Sequence, residues 1–212
     1  MDYRSRRPRN EIGATQGINV TARLVVLASG NGSNLQAIID ACHNRVLHAT
    51  VVGVVSDQPQ AFALQRARNA TIEGVVFSAN PGESRSDYDG RLATVVATMN
   101  PDQVVLAGWM RLLSNSFINN CGAPIINLHP ALPGELPGTR SIERAFAERT
   151  SRGRTGTGVM VHYVTDEGVD NGPLIASIDV AILTTDTLES LTLRMRAAEH
   201  QILIEALAGI VN

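Results

Sequence analysis

Five short runs of apolar, mostly β-branched residues, separated by stretches with helical spacing, leave this chain few folds to choose from. Leu24-Val-Val-Leu-Ala-Ser29 and Val51-Val-Gly-Val-Val-Ser56 are apolar at successive positions, as in strands covered above and below. Gly74-Val-Val-Phe77, Gln103-Val-Val-Leu-Ala107 and Pro124-Ile-Ile-Asn-Leu128 repeat the pattern. Between the runs Leu35, Ile38, Ile39 and Cys42, then Phe62 to Asn69, then Tyr88, Leu92, Val95 and Met99 read as helices, with a short one at Ser114 to Asn119. This alternation predicts an α/β fold, a mainly parallel twisted sheet with helices on both faces, Rossmann-like in outline.

Beyond Leu128 the character changes. His129 to Gly138 holds three Pro and two Gly in ten residues and reads as an ordered, irregular loop. Ser141 to Arg149 reads as a helix and Ser151 to Gly158 as a polar link. Val159 to Val164 and Leu174 to Ile182 then read as an antiparallel hairpin arm around Thr165 to Pro173. A closing helix starts near Thr187, where Asp186 and Glu189 stand at N-cap and N3 spacing, and Leu188, Leu191, Met195, Ala198, Ile202 and Ala206 form its buried stripe. Residues 1–22 are polar and Arg-rich and are expected to be a disordered tail, leaving one domain over residues 23–212.

Among 212 residues there are 18 basic groups, all Arg, and 20 acidic ones, so a net charge of -2 gives no bias towards nucleic acid or anionic membrane. The apolar runs fall far short of the ~20 residues needed to span a bilayer. No apolar segment follows the N-terminal arginines, so they do not read as a secretory signal. Cys42 and Cys121 are too few for a disulfide framework and too far apart for a C-x-x-C site, which predicts reduced, half-buried thiols and a cytoplasmic protein.

In an open parallel sheet, ligands bind beyond the carboxyl ends of the strands, so the residues just after each apolar run carry the chemistry. Three places qualify. Ser29-Gly-Asn-Gly-Ser-Asn34 can present backbone N–H groups and a helix N-terminus to a phosphate, or be a plain tight turn with a capping Asn or Ser. Asn127 and His129 share one strand face and suit acyl transfer, which needs an oxyanion stabilised and a proton moved; equally, His129 can cap the loop it heads. His162, inside a strand, reads as structural. Thr165-Asp-Glu-Gly-Val-Asp-Asn-Gly-Pro173 reads as a solvated acidic turn unless Asp170 lies against His129, where it would fix the tautomer and raise the imidazole pKa.

Gly30-Asn-Gly-Ser-Asn-Leu-Gln36, Ala107-Gly-Trp-Met-Arg-Leu-Leu113, Asn127-Leu-His-Pro130 and Thr165 to Pro173 follow one another as in the phosphoribosylglycinamide formyltransferase family, which the chain resembles from about Leu24 to Leu207. The resemblance implies formyl transfer from 10-formyltetrahydrofolate, a co-substrate, to the amine of glycinamide ribonucleotide in purine biosynthesis, without a metal. It implies that Gly32, Ser33 and Asn34 hold the substrate phosphate with Arg196 as cationic partner, and that Glu199 binds the ribose. Arg85, Met110, Arg111, Leu112, Leu113, Asn127 and the segment Thr165, Asp166, Glu167 and Val169 would contact the folate. Asn127, His129 and Asp170 match the catalytic trio, with protonated His129 and an Asn127 N–H stabilising the formyl oxygen while Asp170 keeps His129 oriented and charged. The implied partners are these small molecules, with no nucleic acid or membrane; a homodimer is compatible with the family.

Three features depart from the commoner bacterial pattern: the loop His129 to Gly138, the apparent insertion Ser151 to Thr157, and Gly168 before Val169-Asp170. The rival readings are a formyltetrahydrofolate deformylase-like hydrolase, which would carry an N-terminal regulatory domain, and a methionyl-tRNA formyltransferase, which would carry a C-terminal RNA-binding domain. A non-catalytic nucleotide-binding module on the same sheet is the rival from another class.

Overall fold

The computed structural model describes residues 21–212, so most of the segment expected to be a tail lies outside the described residues. The first strand, β1 (Ala22–Leu27), starts one residue ahead of the expected boundary. Then follow α1 (Ser33–His43), β2 (Ala49–Ser56), α2 (Phe62–Asn69), β3 (Gly74–Val76), α3 (Arg85–Thr98), β4 (Gln103–Leu106), α4 (Asn115–Ile118) and β5 (Ile125–His129). The chain closes with α5 (Ser141–Arg152), β6 (Gly156–Tyr163), β7 (Leu174–Ala181) and α6 (Leu188–Val211).

The strands form one seven-stranded sheet in the order β3-β2-β1-β4-β5-β6-β7. Pairing is parallel through β5 and antiparallel for β5–β6 and β6–β7, so the expected hairpin extends the sheet itself. The unbroken apolar runs are explained by two cores. Leu24 and Val26 of β1 enter a core with α1, α2, α5 and α6, while Val25 and Leu27 enter one with α3 and α4. Strand order reverses between β1 and β4, where the first crossover leaves one way and the later ones the other. A crevice therefore opens beyond their carboxyl ends.

Four local expectations change. The polar link shrinks to residues 153–155: α5 runs on to Arg152, Gly153 ends it in the left-handed conformation (φ 69°), and β6 begins at Gly156. Arg154 fastens this junction by donating to Glu148 (2.8 Å) and Glu135 (2.6 Å). The cap of α6 is Thr187, in a reciprocal capping box with Ser190 rather than Asp186 with Glu189. Asp186 is instead ion-paired with Arg194 at 2.7 Å, which holds its carboxyl far below the usual carboxylate range. In α3 the fully buried positions are Tyr88, Asp89, Leu92, Ala93 and Val96, so the stripe is centred on Val96, with Val95 only partly buried against the same core. Cys42 is half-buried as expected but Cys121 is fully buried; both are free thiols.

Candidate active site

A cavity of about 320 Å³ lies beyond the carboxyl ends of β1, β4 and β5. The segment after β4 forms one wall, the loops after β5 and β6 another, and Asn34 and Glu199 the far end. Ser29, at the head of the loop after β1, accepts the Met110 N–H at 2.9 Å and so ties the β1 and β4 loops together.

Asn127 and His129 point the same way from β5, as their spacing requires, and the antiparallel register sets His162 of β6 directly opposite Asn127. The turn after β6 then folds back over this face, with Asp170 in left-handed backbone (φ 51°). Asp170 Oδ2 lies 3.2 Å from His129 Nδ1 and accepts the Gly138 N–H at 2.7 Å. Its Oδ1 accepts from Asn127 Nδ2 at 3.0 Å and stands 3.7 Å from His162 Nε2. Asp170 is thus not a solvated turn residue; its side chain is 10% exposed. Although burial raises its pKa, the hydrogen bond from the Gly138 N–H and the neighbouring His129 hold it below the ordinary carboxylate value, so it stays ionised.

His162, which its place inside a strand would make structural, lines the cavity. Its Nδ1 donates to the Tyr163 carbonyl (2.9 Å), which leaves Nε2 to accept from Asn127 Nδ2 at 3.2 Å. Asn127 therefore spends both N–H donors inside the protein and presents Oδ1 as its free acceptor, contrary to the expected donor already aimed at a formyl oxygen.

His129 differs from expectation in charge. Burial pushes its pKa below the ordinary value, and the Asp170 carboxylate and Leu136 carbonyl only partly push it back up. Asp170 orients the ring, but the balance does not keep it permanently charged.

At the far end Asn34 Nδ2 donates to Glu199 Oε2 (2.9 Å), joining the start of α1 to α6. Burial pushes the Glu199 carboxyl above its ordinary pKa, opposed by Asn34 and Arg196. Gly32 caps α1 in left-handed backbone (φ 73°) with no side chain supplying the cap, and Ser33 begins the helix beside it. Of the remaining residues implied by resemblance, Met110, Arg111, Leu112, Leu113, Asp166, Glu167 and Val169 line the cavity. Arg85, Thr165, Arg196, Gly32 and Ser33 do not line it. Arg85 sits at the rim in an ion pair with Glu167, whose other oxygen accepts the Asn115 N–H at 2.9 Å.

Residues 22–207 match the family model described as formyl transferase. The chain is 44% identical over 208 residues to the phosphoribosylglycinamide formyltransferase of Schizosaccharomyces pombe, covering 91% of this chain and 99% of that protein. The Dictyostelium discoideum protein of the same name is 41% identical over 201 residues, 89% of this chain and 97% of its own length. The chain belongs to the formyl transferase family, among the phosphoribosylglycinamide formyltransferases.

The fold agrees with that membership. Glycinamide ribonucleotide transformylase 1 from Symbiobacterium toebii superposes with a TM-score of 0.83 at 36% identity, covering 90% of this chain and 88% of its own. In this formyltransferase the side chains brought together across the sheet, Asn127, His129, His162 and Asp170, occupy the wall of its cavity.

Proposed function

We propose that the chain transfers a formyl group from 10-formyltetrahydrofolate to the amine of glycinamide ribonucleotide, with Asn127, His129 and Asp170 as its catalytic residues. The observation that carries this is the contact of Asp170 with both Asn127 (3.0 Å) and His129 (3.2 Å) in the cavity wall. The Asn34–Glu199 pair at the far end receives the ribose, the loop Gly32 to Asn34 the phosphate with Arg196 nearby, and Met110 to Leu113 with the turn after β6 the folate.

The neutral amine attacks the formyl carbon. The new C–N bond forms, negative charge gathers on the formyl oxygen, and collapse breaks the bond to the folate nitrogen, which takes up the proton that the amine loses. The oxyanion is served by His129 Nε2–H and by an Asn127 N–H. For Asn127 this means exchanging its longer bond, to His162, for one to a charged acceptor, a favourable trade in a water-poor site. A developing negative charge beside His129 raises its pKa, so protonation is coupled to the chemistry. Holding two substrates in register supplies much of the remaining acceleration. Reduced thiols and the absence of charge bias support a cytoplasmic enzyme acting on small molecules.

The test follows formyltetrahydrofolate loss by absorbance with and without the ribonucleotide, beside His129→Ala. Loss that needs the ribonucleotide and disappears in the variant is the expected result. Loss without the ribonucleotide makes the chain a hydrolase, and binding without turnover removes the catalytic reading.

A further inference from the structure

Two features meet at the loop after β1. α1 begins with no side-chain cap, and Asn34 in its first turn is 8% exposed, lines the cavity and keeps Oδ1 without a partner. The first N–H groups of α1 are thus left without a side-chain cap, beside a cavity that Asn34 lines.

The second feature is how α2 grips the loop from outside. Arg66 donates Nε to the Asn31 carbonyl (2.9 Å), Nη2 to Asn31 Oδ1 (3.2 Å) and Nη1 to Gln36 Oε1 on α1 (3.2 Å). One turn earlier the Ala63 N–H donates to the Gly30 carbonyl at 3.1 Å, and a Cβ on Gly32 would lie 2.8 Å from Ala63. Each guanidinium nitrogen of Arg66 is thereby engaged, and the Phe62 ring, 4.8 Å away, packs against its face.

A trans peptide points its C=O and N–H in opposite directions. Drawing the Gly30 and Asn31 carbonyls towards α2 therefore turns the N–H groups of Asn31 and Gly32 away from it. Free of that hold, the Asn31 carbonyl could swing out and set a partial negative charge against a phosphate. We propose that Arg66 is a positioning residue of the phosphate subsite, acting through Asn31 to keep the loop's carbonyls turned away from the anion. The inference rests on the phosphate reading of the Gly32–Asn34 loop.

The role separates from simple attraction, because Arg196 and His200 also face this end: Arg196 and Arg66 both hold the His200 pKa down, after burial. Arg66→Lys keeps the charge but loses the fork, Arg66→Gln loses both, and Asn31→Ala removes one of the two hooks while leaving Arg66 in place. Lys and Gln are each expected to raise KM for glycinamide ribonucleotide about tenfold, with kcat within about threefold and KM for the folate unchanged. Asn31→Ala is expected to raise the same KM about threefold. Normal KM in Arg66→Lys assigns the effect to charge alone, and normal KM in Asn31→Ala shows that losing the Asn31 side-chain hook leaves the loop in place; either overturns the proposal. If the Arg66 variants fail to fold, Asn31→Ala decides it. Wild-type binding of glycinamide riboside provides the control. Affinity equal to the ribonucleotide's overturns the phosphate reading itself, whereas a phosphate-dependent wild type with indifferent variants overturns only the role of Arg66.

Discussion

His129 Nε2 lies 3.1 Å from the main-chain carbonyl of Leu136, so the loop after β5 returns to occupy the very imidazole that heads it. Ser141 Oγ (3.0 Å) and Arg144 Nη2 (2.6 Å) donate to the same carbonyl and hold it in place. With Asp170 at Nδ1 and Leu136 at Nε2, both ring nitrogens face acceptors, a pattern that only the imidazolium satisfies at once. Burial opposes that charge. In the proposed mechanism, a formyl oxygen that reaches Nε2–H takes the place of the Leu136 carbonyl, an exchange favoured as that oxygen becomes negative.

Asp170→Asn removes the nearby charge that raises the His129 pKa, so that pKa, already below its ordinary value, falls further. NMR titration of the His129 ring reads the shift directly. Turnover is expected to fall about 100-fold or more, since the imidazole loses its orienting partner together with its access to the charged form. An unmoved His129 titration would show that the contact carries no electrostatic coupling.

His162→Phe keeps a ring of similar shape but removes the acceptor for Asn127 and the donor to Tyr163. Turnover should drop about tenfold with both KM values nearly unchanged, because Asn127 loses a partner that holds it in place. Thermal denaturation separates the roles: a lower Tm with unchanged turnover would make His162 structural after all.

Glu167→Gln frees Arg85 from its ion pair while the amide oxygen can still accept the Asn115 N–H. If Arg85 binds a folate carboxylate, Glu167 is its internal competitor. The side chains are 45% and 37% exposed, so the pair is worth below about 1 kcal/mol and KM for the folate should fall no more than about fivefold. Because exposed charges are screened, repeating the KM measurement at high salt should erase the difference.

Glu199→Gln should stabilise the fold while weakening ribonucleotide binding. Burial raises the Glu199 pKa above its ordinary 4.5, so the ionised form is a burden on the folded state. The sign is that of an acid with a raised folded pKa: the burden is absent below the ordinary value, grows as pH rises from there to the folded pKa, and is complete above it. Calorimetry should therefore find the variant more stable at pH 8 and indistinguishable at pH 4. A gap that persists at pH 4 would mean that the Glu199 charge is not its cause.

Strand and helix identities were legible because a doubly covered strand must be apolar on both faces and a helix on one, constraints that act residue by residue. Legible too were Asn127 and His129 as a pair, since two residues apart on a strand means a common face. Boundaries failed where a tertiary contact intervened. α5 continues to Arg152 and β6 starts at Gly156 because Arg154 bridges two glutamates beside them, and Asp186 left the cap of α6 to Thr187 because Arg194 captured it.

The sequence by itself determined the layered α/β architecture, the loops that could bear chemistry and the residue types within them. Tertiary structure alone decided which of those residues meet. Asp170 reaches Asn127 across 43 positions only because the turn after β6 folds back over the sheet, and His162 joins them only through antiparallel register. Arg66 meets Asn31 only because α2 packs beside the loop that follows β1. Periodicity is written in neighbouring residues, whereas register, loop return and the burial that sets the charge of His129 come from segments far apart in the chain, whose positions the packed core fixes.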